Sequence, residues 1–404
     1  MANSIQNKTL DKKEIKNYYL SNCKPKNMHK IGLEYERISI NSNTKKPDLT
    51  GILKTIEEFS NKENWKLILD SGVLIGAKKE DSTISLEPGG QFEISLSPKN
   101  KISEIEFELN KILNSFDKIA KRNNIEFLTC GINPSETFEN IKILPKKRYL
   151  IMADYFNKKS FHAHMMMRET AGIQINIDYE SEEDAVLKFN FLNKILPFIT
   201  GLFANSKIRN NENTGFESFR SEIWRLTDPI RCGEILLKIN GFEDYIEKII
   251  NTPMILIEKN EEKIPIKNMS LEEYSKNNDV DLDNYLTHAS LIFPDIRLKN
   301  SIEIRNHDTN SKDIALALCA FYKGLTKDAD IIQNLNQKIN LSEENIKEIR
   351  YLASKFGAKF ELENVLPNYT VKKLLFELFN ISKNNLSLEE RDFLSIMEEK
   401  IQTL

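Results

Sequence analysis

Cysteine is scarce in this chain of 404 residues: Cys23, Cys130, Cys232 and Cys319 stand far apart and form no C-x-x-C pair. That argues against a structural zinc knuckle or a dense disulfide framework and fits a reducing compartment. Long apolar runs are missing too. None approaches the roughly 20 residues a membrane-spanning helix needs, and the opening stretch M-A-N-S-I-Q-N-K-T-L-D-K-K holds no apolar signal core. A soluble, cytoplasmic protein with no membrane partner is the expectation. Charge of one sign does not dominate either. With 57 basic and 60 acidic residues the formal net charge is −3, so no global field draws nucleic acid. Also absent are a G-x-x-x-x-G-K-[ST] loop, a G-x-G-x-x-G opening a helix, and a G-x-S-x-G elbow. Any bound nucleotide must therefore be held by side chains rather than by a glycine-rich backbone.

What is present is a set of strands with apolar backs and polar fronts. In Ser85–Pro98, S-L-E-P-G-G-Q-F-E-I-S-L-S-P, a single strand puts Phe92, Ile94 and Leu96 on one face. Glu87, Gln91 and Glu93 share the other, provided the Pro-Gly-Gly corner keeps register. An exposed edge strand would look similar, but a bend between two glutamates suits close approach to a ligand. Residues 30–40 set Leu33 and Tyr35 against Glu34 and Glu36. Residues 161–180 enter a strand with Ile173, Ile175 and Ile177 behind and Gln174, Asn176 and Asp178 in front; His162 and His164 precede it. Around 291–308, Ile302 and Ile304 face back while Glu303, Arg305 and His307 face front.

Helical spacing marks 8–28, 50–60, 101–123 and 182–206, with Pro197 inside the last. In 101–123 the expected core positions are Ile102, Ile105, Phe107, Leu109, Ile112, Leu113, Phe116 and Ile119. K-L-I-L-D-S-G-V-L-I-G-A reads as a hairpin, and 125–133 as a buried strand. Residues 235–287 are polar and read as short helices, a lid or an insertion without chemistry. From 311 to 404 the pattern is helical. The architecture expected is α+β: a curved, mainly antiparallel sheet forming a funnel, with helices behind it. Residues 1–310 form the catalytic part, and 311–404 a helical part packed on the same domain.

The polar fronts collect Glu34, Glu36, Glu87, Glu93 and Glu303. So many carboxylates cannot all ionise in one trough without counter-charge. Mg²⁺, or Mn²⁺ in its place, answers that need, since hard cations take oxygen ligands and share them with substrate phosphates. Arg220, Arg225, Arg297 and Arg305 suit phosphate or carboxylate oxygens. Structural pairs with Glu217, Glu222 and Glu234 compete with that reading for the arginines near Trp224. Lys146, Lys147 and Arg148 form a basic cluster ahead of a short helix, and such clusters also occur as solvated decoration.

These segments resemble the plant-type glutamate–cysteine ligase family. The matching stretches are I-G-L-E-Y-E (31–36), S-L-E-P-G-G-Q-F-E-I-S (85–95), L-P-K-K-R-Y-L-I-M (144–152), H-M-M-M-R-E-T-A-G-I-Q-I-N-I-D (164–178), L-F-A-N-S (202–206), G-F-E-S-F-R-S-E-I-W-R-L-T-D-P-I-R (215–231) and F-P-D-I-R-L-K-N-S-I-E-I-R (293–305). The resemblance implies a glutamine-synthetase-like funnel and an ATP-dependent ligase joining the γ-carboxylate of L-glutamate to the amine of L-cysteine. It implies metal ligands at Glu34, Glu36, Glu87, Glu93 and Glu303, and catalytic roles for Arg220, Arg225 and Glu93. ATP would lie near Arg297 and Arg305, with Gln174, Asn176, Lys147 and Arg148 beside it. A monomer or homodimer is expected. The alternatives are a related ligase with another amine acceptor, or a non-catalytic nucleotide-binding protein.

Overall fold

The computed structural model describes residues 10–362 and 364–404. Segments with period-two alternation become one nine-stranded sheet: β1 (Ile31–Asn41), β2 (Lys66–Asp70), β3 (Val73–Lys79), β4 (Ser82–Leu86), β5 (Phe92–Ser95), β6 (Ile125–Leu128), β7 (Gly172–Ile177), and, after six short strands, β14 (Ile296–Leu298) and β15 (Ile302–Asp308). The short strands are β8 (Ile208–Arg209) with β9 (Glu212–Asn213), β11 (Leu256–Lys259) with β12 (Glu262–Pro265), and β10 (Cys232–Gly233) parallel to β13 (Phe293–Pro294). The sheet runs β14-β15-β7-β1-β5-β4-β3-β2, antiparallel throughout, and β6 takes up the far half of β1. The 85–98 stretch is not one strand. It contributes the end of β4 and all of β5, joined by the Glu87–Gln91 turn, because Gly90 at φ +81 reverses the chain.

The helices in chain order are α1 (Lys12–Ser21), α2 (Leu49–Glu63), α3 (Ile102–Arg122), α4 (Lys147–Phe156), α5 (Phe161–Glu169), α6 (Glu182–Leu202), α7 (Phe219–Thr227), α8 (Phe242–Ile250), α9 (Leu271–Ser275), α10 (Leu282–Ala289) and α11 (Lys312–Leu325), with further helices to Gln402. Side-chain oxygens of Asp11, Asp48, Ser181, Ser218 and Ser311 accept from the first-turn N–H groups, which sets where α1, α2, α6, α7 and α11 begin. Residues 8 and 9 of the expected first helix lie outside the described residues. Residues 161–169 are helical rather than an approach to β7.

Ile173, Ile175 and Ile177 are buried on the back of β7, each contributing roughly 2 kcal/mol by area. α11 packs behind β1 and β7, α6 behind β15, and α3 against β6 and α2. Phe92 and Phe116 stack there with centroids 4.0 Å apart. Phe107 is 73% exposed, contrary to the core position expected. It sits two residues from both Ile105 and Leu109, about 200° round the helix from each. Residues 235–287 belong to the core: Phe242, Tyr245, Ile246, Ile249 and Tyr285 are buried, and the Tyr245 hydroxyl donates to Leu298 O at 3.1 Å.

Candidate active site

Register brings the polar fronts together. On β1, Glu36 lies opposite Glu93 of β5, and Glu34 lies between Ser95 and Gln174. On β15, Glu303 lies opposite Asn176 and Arg297. The β4–β5 turn is held rigidly. Ser39 Oγ donates to Gly90 O at 2.7 Å, Gln91 Oε1 accepts from Gly89 N at 2.8 Å, and Gln91 Nε2 donates to Thr170 O at 2.9 Å. Glu87 and Glu93 thus stand at fixed places on either side of the bend.

Helices close the space over this face. Asp308 accepts from Ser206 Oγ at 2.7 Å and Ser218 Oγ at 2.9 Å, and Ser206 Oγ accepts from Arg220 N at 3.0 Å. The end of β15 therefore anchors the start of α7 and sets Arg220 over the sheet. Leu144 N donates to Pro88 O at 2.8 Å, which leads α4 across the turn. The result is a cavity of about 290 Å³ lined by Glu34, Glu36, Glu87, Glu93 and Glu303, by Lys146, Arg148, Arg220, Arg297 and Arg305, and by an apolar side of Met and aromatic residues. A larger open groove of about 970 Å³, beside Trp65 and Phe107, has its charges scattered along an open rim rather than converging. Convergent buried charge, not volume, marks the site.

The charges are sorted. Burial raises the Glu36 carboxyl to about 7, with the Glu87 charge adding to it. Burial raises Glu87 as well, and Glu93 stands well above the ordinary range through burial and then repulsion from Glu87, Glu34 and Glu36. Glu303 is the reverse. Burial pushes it up, but Arg297, Lys299 and Arg305 together outweigh that and hold it well below. Its oxygens meet Arg297 Nε at 2.8 Å, Lys299 Nζ at 2.6 Å and Arg305 Nη1 at 3.2 Å. Gly172 lies between the two groups of charge. Its N–H donates to Glu36 at 2.6 Å, and a Cβ there would stand 2.3 Å from Arg220 Nη2.

Of the residues expected at the site, Glu34, Glu36, Glu87, Glu93, Glu303, Gln174, Arg148, Arg220, Arg297 and Arg305 line this cavity. Asn176 lies just beyond, in an adjoining recess of about 180 Å³ with Lys299 and Ser301, and donates to Glu34 at 2.8 Å. Arg225 does not reach the cavity. It forks onto Glu222 at 2.5 and 2.8 Å from a side chain 33% exposed, which is the structural pairing. Lys147 points away as well. The helix starts at Lys147, and Lys146 and Tyr149, three apart, face inward. His307 is not on the front: a β-bulge between Ile304 and His307 turns it to the back, where it meets Tyr322 Oη at 2.8 Å. His162 and His164 lie off the cavity, with His164 stacked on Phe138. Sequence reasoning missed Lys299 as the second partner of Glu303 and Trp224 as a cavity wall. For Trp224 a signal existed, since it lies one helical turn after Arg220.

The model of glutamate–cysteine ligase family 2 matches residues 30–401. Glutamate–cysteine ligase A, chloroplastic, of Oryza sativa subsp. indica is 30% identical over 388 residues, covering 93% of this chain and 78% of that protein. The chloroplastic glutamate–cysteine ligase of Arabidopsis thaliana is 29% identical over 414 residues, covering 99% and 78%. Among solved structures, glutamate–cysteine ligase from Francisella tularensis in complex with AMP superposes with a TM-score of 0.57 at 12% identity, over 93% of this chain and 82% of that one. A bifunctional glutathione synthetase from Pasteurella multocida gives 0.54 at 12% identity, over 93% and 48%. At such identities these two speak for the fold alone: a large antiparallel sheet with helices behind. The chain is a member of glutamate–cysteine ligase family 2.

Proposed function

We propose that this protein joins the γ-carboxylate of L-glutamate to the amine of L-cysteine at the expense of ATP, giving γ-glutamylcysteine. The observation that carries the reading is the sorting of charge in one buried cavity: among the described residues Glu36, Glu87 and Glu93 form no ion pair, while basic side chains line the same space. A γ-carboxylate oxygen attacks the terminal phosphorus of ATP, and ADP leaves. The cysteine amine then attacks the acyl carbon and gives up a proton, the C–O bond to phosphate breaks, and inorganic phosphate departs carrying the carboxylate oxygen that had attacked phosphorus. Arg220, Arg305 and Arg148 offer donors to the phosphoryl oxygens and substrate carboxylates, where preorganised charge is worth most.

The acidic side suits Mg²⁺. Among the described residues no three His, Cys, Asp or Glu side chains form a ready-made metal cluster. Mg²⁺ is ordinarily held by one or two carboxylates and completed by nucleotide phosphates and water, so neighbours such as Glu36 and Glu93 fit it. Bound there with Glu34 and Glu87 near, it would neutralise phosphate charge; Mn²⁺ has the same ligand taste. Glu303 is already engaged by three cations and serves instead to fix Arg297 and Arg305 in place.

The test is phosphate release from ATP by purified protein with Mg²⁺. Release that requires both glutamate and cysteine is expected. Release with a different amine in place of cysteine would move the acceptor within the same class, and release with no amino-acid dependence would overturn the reading.

A further inference from the structure

Buried polar atoms nearly always find a partner, so several without one in a single cavity mark a place for a ligand. Among the described residues, four such atoms belong to side chains lining the charged cavity: Arg220 Nε, Arg220 Nη1, Trp224 Nε1 and Gln174 Oε1. Arg220 and Gln174 are only 2% and 4% exposed, so bulk water does not serve them. The same residues' other polar atoms are engaged. Arg220 Nη2 donates to Arg305 O at 3.1 Å. Gln174 Nε2 donates to the Glu36 carboxylate, which leaves Oε1 as the free end of the amide. Trp224 lies one turn after Arg220 on α7, so the two share a helix face. Its ring is flanked by two guanidiniums, Arg220 Cζ at 5.7 Å and Arg305 Cζ at 5.5 Å from the centroid. The ring therefore steadies both arginines, while its N–H serves nothing in the protein.

Three donors and one acceptor complement a carboxylate and an amine. We propose that Trp224 binds substrate directly: its indole N–H and the free N–H groups of Arg220 receive the carboxylate of an α-amino acid, and Gln174 Oε1 accepts from the same molecule's amine. This rests on the ligase reading above, in which both amino-acid substrates carry that pair of groups. A phosphoryl group alone would satisfy the donors but brings no N–H to Gln174 Oε1, so an α-amino acid matches the whole set better. The indole supplies direction without adding charge where two arginines already provide it.

Trp224→Phe keeps a ring between the arginines and removes the N–H alone. The KM for glutamate or for cysteine should rise about tenfold, the worth of one hydrogen bond to a charged group. The KM for ATP and the thermal midpoint should stay put. Which amino acid's KM moves identifies the molecule bound. Unchanged amino-acid KM values, or a change confined to ATP, would overturn the proposal. A second measurement needs no turnover. The chain has two tryptophans, and Trp65 lines the separate groove, so Trp65→Phe leaves Trp224 as the sole indole. Its emission should respond to L-glutamate or L-cysteine and not to the matching decarboxylated amine, 4-aminobutyrate or cysteamine. An equal response to acid and amine, or none to either acid, would also overturn it. If glutamate and cysteine together drive no ATP turnover, the ligase reading fails, while this titration still decides the carboxylate site.

Discussion

The two sides of the cavity solve opposite problems. On β1, β5 and the turn before β5, glutamates share one face, no ion pair reaches Glu87 or Glu93 among the described residues, and burial keeps their carboxyls reluctant to ionise. On β14 and β15, one glutamate is shared by Arg297, Lys299 and Arg305 and is ionised far below the usual range. Both groups are Glu side chains on the same face of one sheet, separated by β7. The basic side is thus completed within the protein, while the acidic side keeps the unneutralised carboxyls on which the proposed cation site rests.

The sharpest way to break that comparison is to neutralise one glutamate on each side. On the proposed cation site, Glu87→Gln should cut turnover by about three orders of magnitude, since losing a carboxylate beside the cation forfeits several kcal/mol of charge stabilisation. Its chemical-denaturation midpoint should match the wild type or exceed it, because a buried repelling charge is gone. Glu303→Gln should instead cost about 3–5 kcal/mol of stability in the same denaturation experiment, because it strands buried cations. Equal stability losses in the two variants would erase the distinction. A smaller effect separates the arginines. Arg220→Lys should lower kcat/KM about tenfold to a hundredfold, since a point charge does not replace a planar fork. Arg225→Lys should stay within about twofold by the same assay, as Arg225 pairs with Glu222 outside the cavity.

The smallest effect concerns the back of the sheet. Burial lowers His307 to about 3, with the Arg220 charge adding to it. A histidine depressed in the fold lends stability above its unfolded value near 6.5 and loses it as pH falls toward 3. The stability gap between wild type and His307→Gln, measured by denaturation, should therefore narrow by about 2 kcal/mol between pH 7.5 and pH 5. A gap independent of pH would mean that His307 is not the neutral core residue seen here.

Much of this was legible because strand alternation exposes a charged front directly. Glu34 and Glu36 against Leu33 and Tyr35, and Gln174 against Ile173 and Ile175, needed only period two. What escaped depended on a single residue of offset. One extra residue in β15 turned His307 from front to back. The basic cluster expected ahead of the helix straddles its start at Lys147, which leaves that lysine outward and Lys146 and Arg148 on the cavity. Arg225 and Arg220 carry equal charge in the same motif, and only the helix they share decides that one meets Glu222 and the other the cavity. Lys299 escaped because its pairing with Glu303 runs along the chain by four residues, outside the alternation of either strand.

Gly172 gives this arrangement its tolerance limit. A lone hydrogen atom there lets the arginine fork settle on the main chain while the amide beside it grips Glu36. Even a methyl group would push the Arg220 guanidinium away from the strand whose amide holds Glu36. The spacing of carboxylate and guanidinium on this strand is thus gauged by the smallest side chain available.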